Sequence, residues 1–282
     1  MKAQRARALS ESERDCKAYA LARAYLLARP ARGITEELLE HYVRPPRASL
    51  TPQTMGGVFH RLLLSARNRN MMATVIPDAV VDSLGPVLGG FNPVKVTTCF
   101  ASPDHLLDTI IREIKPAGKL RRSRAGLWPL FSRATLSGAR FLSQFADGAE
   151  FLAWVQTFDD DPRKRAALPL LLSQEVNGFG FALACDFLKE LGFFNFAKPD
   201  VHVKAIVKGL RLANESPSDY LVFKVVARIA EHCGRTPYDV DKTFWLVGSG
   251  YFYDHRSLGR NGRVATDRDE FIRNASRALT AA

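Results

Sequence analysis

Asp200 is the side chain best placed to do chemistry. It lies in the short segment Pro199-Asp200-Val201-His202-Val203-Lys204, twenty positions (200 minus 180) after the second glycine of Gly178-Phe179-Gly180. The two glycines permit a tight turn that opens an apolar helix, FALACDFL, and leave backbone N–H groups exposed at its start. Such a nest attracts phosphate. Asp200 brings a carboxylate to the head of a further helix, VHVKAIVKGL, where it is also well placed as an N-cap. His202 and Lys204 follow on the same helix start. They either contact phosphates or form an ordinary solvated basic end.

The whole stretch QEVNGFGFALACDFLKELGFFNFAKPDVHVK resembles the signature of the helix-hairpin-helix (HhH-GPD) DNA glycosylase superfamily, with its endonuclease III-like and AlkA-like members. The resemblance implies an all-α fold of two helical lobes with a DNA-binding cleft between them. It implies that Gly178 and Gly180 grip the DNA backbone. It implies that Asp200 is catalytic, stabilising positive charge on the sugar as the N-glycosidic bond breaks. A monovalent cation at the hairpin is a further possibility that the family brings. Bifunctional members carry a lysine two residues after the second glycine, which attacks the sugar and leads to strand cleavage. Here that position is Ala182, eighteen residues (200 minus 182) before the acid. The resemblance therefore implies a monofunctional enzyme with water as nucleophile. A non-catalytic DNA-binding protein on the same fold is the alternative that this departure leaves open.

A second block, Leu63-Leu64-Ser65-Ala66-Arg67-Asn68-Arg69-Asn70, looks like the L-L-S-A-Q-A-T-D segment of endonuclease III-like enzymes. In those enzymes the glutamine fills the gap left by base flipping. Arg67 takes its place, and a guanidinium can stack there and hydrogen-bond to the orphaned base. Asn68 and Asn70 would be polar groups at the edge of the cleft. The plain alternative is a basic helix C-terminus that complements the macrodipole. Ala182 also removes a long side chain from the pocket wall, which admits a bulky base, either an alkylated purine or a glucosylated hydroxymethylcytosine of phage DNA. Trp245, Tyr251 and Tyr253 are possible base-pocket residues, or packing aromatics. Lys115, Lys119, Arg121, Arg122 and Arg124 form either a phosphate-contacting run or a solvated face.

The elements that must hold these residues read as helices between capping signals. Ser10 with Glu13 forms a capping box, and Thr35 caps EELLEHYVR. Thr51-Pro52, Ser102-Pro103, Asp161-Pro162, Thr236-Pro237 and Thr266 open further helices. Two or three helices cover residues 119–158, and residues 84–98 form a loop or a short extended piece. The expected division is an N-terminal helical extension (1–50), a lobe with the helix-hairpin-helix near 163–191 (51–195), and C-terminal helices (196–282) that complete the second lobe with the N-terminal ones.

The chain has 282 residues, 46% of them hydrophobic, ample for a sizeable core. Its net charge of +11 points to a polyanionic partner, here double-stranded DNA, or simply to a soluble basic surface. Cys16, Cys99, Cys185 and Cys233 form no C-x-x-C pair, which argues against a zinc site and an iron–sulfur cluster. No disulfide framework, secretory leader or membrane span is evident, so the expected setting is a reducing cytoplasm and the expected state a monomer.

Overall fold

The computed structural model describes residues 9–28, 33–45, 54–69, 72–116, 120–213 and 216–280. Asn70, Lys119, Pro30 and the Thr51-Pro52 signal lie outside them. Among the described residues the secondary structure is α-helical, apart from two isolated bridges that pair Arg263 with Tyr251 and with Arg260. The helices are α1 (Glu11–Leu27), α2 (Glu36–Val43), α3 (Met55–Ala66), α4 (Met72–Val75), α5 (Asp78–Ser83), α6 (Pro93–Cys99), α7 (Pro103–Ile114) and α8 (Leu127–Leu142). There follow α9 (Gly148–Asp159), α10 (Ala167–Glu175), α11 (Phe181–Glu190), α12 (Val201–Gly209), α13 (Asp219–His232), α14 (Pro237–Ser249) and α15 (Arg268–Thr280). Two compact units result, one formed by residues 1–47 with 194–282 and one by residues 48–193. Among the described residues no helix is long and apolar enough to cross a membrane.

In the first unit, α1, α2 and α12 to α15 share one core. Tyr19 and Leu26 of α1 meet Leu39 of α2, Ile206 of α12, Val226 of α13, Phe244 of α14 and Phe271 of α15, all buried. The capping box at Ser10 and Glu13 forms as expected, and so does one at Thr236 and Asp239. Within this core the fully buried Asp15 is a polar exception. Its carboxylate accepts from Arg228 Nε at 2.8 Å and Nη2 at 3.0 Å, and lies 2.8 Å from His232 Nδ1. Arg228 also donates to the carbonyl of Leu212 at 2.9 Å, so the cluster ties α1, α13 and the turn after α12 together.

In the second unit, α8 is the central packing element, against α3, α6 and α7. Gly138 allows the closest approach: a Cβ there would lie 2.7 Å from Cδ2 of Leu62 on α3. Phe59, Leu63, Phe131, Phe151 and Phe187 fill the space between these helices, each fully buried. Two details differ from the sequence reading. Residues 84–98 contain a helix, α6, which Asn92 caps through Lys95 N–H and Pro93 begins. Asp161-Pro162 does not open a helix. Asp161 accepts from the Arg163 amide two residues on, an Asx-type turn, and α10 begins only at Ala167.

Asp15→Ala should destabilise the first unit by about 3 kcal/mol, because Arg228 loses its buried carboxylate and keeps only the exposed Glu11 and the Leu212 carbonyl. Urea unfolding should show a lower midpoint at an unchanged slope. An unaltered midpoint would mean that the cluster is neutral to stability.

Candidate functional site

The acid is built into the start of α12. Asp200 is the N-cap, with extended backbone (φ −78°, ψ −179°) imposed in part by the preceding turn, where its own amide donates to Lys198 carbonyl at 2.8 Å. Its Oδ1 accepts from the amides of His202 and Val203, both at 2.9 Å. Oδ2 accepts no hydrogen bond among the described residues, and the residue as a whole is half-buried. The Lys198 amide donates to Oδ2 of Asp241, a buried carboxylate on α14, at 3.1 Å. α14 thus fixes the turn that carries Asp200. Burial, and then the neighbouring charge of Asp241, push the Asp200 carboxyl above the usual aspartate range, against the Val203 amide, His202 and Lys198, which favour the charged form.

α12 and α14 approach closely because position 248 lacks a side chain. A Cβ on Gly248 would stand 2.5 Å from His202 Cβ and 2.7 Å from its Nδ1. The His202 ring is therefore packed against α14, with Nδ1 buried and without a partner among the described residues. Lys204 Nζ donates to Asp219 Oδ1 of α13 at 2.7 Å. On this face of the first unit His202 is a packing group and Lys204 an ion-pair partner.

The aromatic residues of the first unit do gather. Ring centroids lie 6.5 Å apart for Trp245 and Tyr251, 6.3 Å for Trp245 and Tyr253, and 6.2 Å for Tyr251 and Tyr253. Lys242 Nζ lies 5.5 Å from the Trp245 ring centroid and 5.1 Å from that of Tyr253. The Arg263 guanidinium stacks 4.4 Å over Tyr251, held there by the local pairing of residues 250–252 with 262–264. Tyr253 is 37% exposed, so this cluster offers ring surface to solvent.

In the second unit the hairpin joins α10 to α11. Gly178 has φ +89°, a conformation that side chains disfavour. Gly180 is the N-cap of α11 with no side-chain cap, and open space surrounds the position a Cβ would take. The amides of Gly178, Gly180 and Ala182 make no hydrogen bond among the described residues, leaving donors for an anion at a helix N-terminus. The Asn177 amide donates to Ser137 Oγ of α8 at 2.8 Å, which anchors the turn. Ala182 is half-buried in the first turn of α11 and carries only a methyl group.

The end of α3 meets this hairpin through a residue that the sequence reading did not single out. Arg69 Nη1 donates to the Gly178 carbonyl at 3.2 Å, and a Cβ at 178 would lie 2.9 Å from that nitrogen. Glycine is thus needed at 178 twice, for its φ and for the guanidinium. No periodicity marks Arg69; only the tertiary approach of α3 to α11 reveals it. Arg67 instead pairs with Asp78 of α5, its guanidinium largely covered and its Nε buried without a partner among the described residues. Asn68 Nδ2 donates to the buried Asp186 of α11 at 3.0 Å. A monovalent cation would need hairpin carbonyls as ligands. The Gly178 carbonyl already accepts from a guanidinium, and like charges repel, so these residues do not fit one there. Among the described residues no three His, Cys, Asp or Glu side chains form a metal-ligand group.

The raised titration of Asp200 has a sign that stability reads. A carboxyl whose folded pKa exceeds its unfolded value contributes stability below the unfolded pKa and loses it as pH rises through the folded one. Asparagine caps a helix as well as aspartate and carries no charge to bury. Asp200→Asn should therefore be at least as stable as the wild type at pH 7, with the difference closing below about pH 4. Thermal melts at both pH values measure this. A clearly less stable variant at pH 7 would mean that the fold favours the charged carboxylate and that its titration is not raised.

Comparison with family models, with curated proteins and with solved structures finds no match for this chain, so the reading of the site rests on its own residues.

Proposed function

We propose that the protein is a monofunctional DNA glycosylase that flips a damaged or modified base from duplex DNA, hydrolyses its N-glycosidic bond and leaves an abasic site. The observation that carries this reading is the division of labour within Asp200. Oδ1 is spent on capping α12, while Oδ2 accepts no hydrogen bond among the described residues, on a half-buried carboxyl that burial has already made costly to ionise. Such a fixed, partly desolvated carboxylate suits a reaction in which the bond between base and C1′ breaks and positive charge develops on the sugar. Its interaction with that charge strengthens as the charge appears, and water then adds to C1′. The free amides of Gly178, Gly180 and Ala182 supply the phosphate contact that the reading requires. Ala182 offers no amine, so no covalent sugar intermediate forms there. Its small side chain favours a bulky base, an alkylated purine or a glucosylated hydroxymethylcytosine.

A second reading, a DNA-binding protein without catalysis, draws support from two observations. Capping alone accounts for Oδ1, and Arg67 is held by Asp78 rather than presented to solvent. Incubation with duplexes carrying a panel of damaged and modified bases, followed by alkali, separates the two: the glycosylase yields alkali-labile strands and the binder yields none.

On the first reading Asp200→Asn should lower base excision by about a hundredfold or more while duplex affinity is kept. Excision by the asparagine variant at the wild-type rate would remove Asp200 from the mechanism.

The wild-type protein should release base without nicking the strand, and borohydride should not trap it on DNA. A borohydride-stable crosslink would show that a lysine acts as nucleophile in spite of Ala182.

A further inference from the structure

We infer that Arg69, Arg124 and Arg133 form a second phosphate site in the unit of residues 48–193, next to the hairpin, which takes a further phosphodiester of the bound nucleic-acid strand. This deepens the nucleic-acid reading above and rests on it for the identity of the ligand. Three separate elements bring the arginines together. Arg69, after α3, donates to the hairpin carbonyl of Gly178. Arg133, on α8, lies one turn before Ser137, whose hydroxyl accepts from the hairpin amide of Asn177 and donates to the Arg133 carbonyl at 2.8 Å. Arg124, in the loop before α8, has its carbonyl hydrogen-bonded to the Arg133 guanidinium.

None of the three makes an ion pair among the described residues, although the same unit pairs other surface arginines readily: Arg67 with Asp78, Arg122 with Asp108, Arg163 with Asp161. Asp104, in the first turn of α7, is the acidic group whose field reaches Arg133. Burial in the first place, then Arg124 and Arg69, lower the Arg133 guanidinium from its ordinary value against that acid. Like charges held together with no carboxylate ion-paired to them repel, and a bound anion offsets that repulsion. Guanidinium forks match phosphate oxygens, and the free hairpin amides already offer one phosphate position close by. Two adjacent phosphate positions suit a polymer of phosphodiesters better than a single small anion.

Fluorescence anisotropy with a labelled plain duplex, titrated at several salt concentrations, tests this. Arg124 is the cleanest position because its side chain makes no hydrogen bond or ion pair among the described residues, so Arg124→Gln removes charge without removing a fold contact. It should weaken binding about fivefold to tenfold near 0.1 M salt. Arg69→Gln combined with Arg133→Gln should flatten the log K against log salt slope by about 0.9, the loss of one phosphate contact. Arg122→Gln, which breaks a pair with Asp108, should leave affinity and slope near wild type. A plain duplex presents no base to excise, so a failed excision assay leaves this measurement intact. Wild-type affinity and slope in the Arg124 and Arg69/Arg133 variants would overturn the site, as would an equal loss from Arg122→Gln. Arginine-dependent binding of inorganic pyrophosphate by a wild type that ignores duplex would overturn nucleic acid as the ligand.

Discussion

Two backbone amides donating to one carboxylate oxygen set the geometry of the first unit's site. By capping α12, Asp200 fixes where that helix begins, and the start of α12 in turn fixes His202 against Gly248. Asp241 secures the turn from the other side through the Lys198 amide. The acid is thus held by main-chain contacts on both flanks rather than by its own rotamer alone. The arrangement has a cost, since burial and a second carboxylate resist its ionisation. A carboxylate kept charged in such surroundings interacts more strongly with a developing cation than one bathed in water, and that difference is what a catalytic acid uses.

The second unit solves a different problem, presenting donors rather than one charged acceptor. Its hairpin leaves three amides open, and Gly178 admits the Arg69 guanidinium that a side chain would exclude. The turn that follows α3 then distributes three polar residues among three tasks. Arg67 goes to Asp78, Asn68 to the buried Asp186, and Arg69 to the hairpin. Cations at a helix C-terminus also complement its dipole, so local electrostatics favours the basic composition of this segment before any tertiary contact forms. Tertiary packing decides only which arginine reaches which partner.

Helix starts were legible because capping is local chemistry. Ser10 with Glu13, Thr35, Ser102 with Pro103, and Thr236 with Pro237 all cap the helices expected of them. Asn92-Pro93 carried the same signal and was obscured by the glycines and prolines around it. Thr266 was one residue off: Asp267 Oδ1 accepts the amides of Asp269 and Glu270 at 2.9 Å, a role that an acid or a threonine can fill equally. Asp200 as a cap was legible for this reason; the hold of Asp241 on its turn was not, because it depends on the packing of α14. The gathering of Trp245, Tyr251 and Tyr253 was partly legible from their closeness in sequence. Lys242 and Arg263 among those rings were not, since the Arg263 contact arises from the pairing of Tyr251 with Arg263 across the intervening loop.

On the proposed glycosylase reading Ala182 leaves the question of where a nucleophile could come from, and the lysine nearest the acid in sequence on its helix bears on it. Lys204 follows Asp200 by four positions, which puts the two on adjacent turns. Its Nζ is engaged with Asp219 across to α13, drawn toward the neighbouring helix. To attack a sugar it would have to leave that carboxylate and lose its proton beforehand, whereas a water molecule beside Asp200 already has a free lone pair and gives up its proton only as it adds to C1′. Oδ2 accepts no hydrogen bond among the described residues, and a carboxylate oxygen can accept one from water and orient it. On the proposed reading, the absence of an amine at 182 and the engagement of the amine at 204 favour the same route, hydrolysis directed by one half-buried acid.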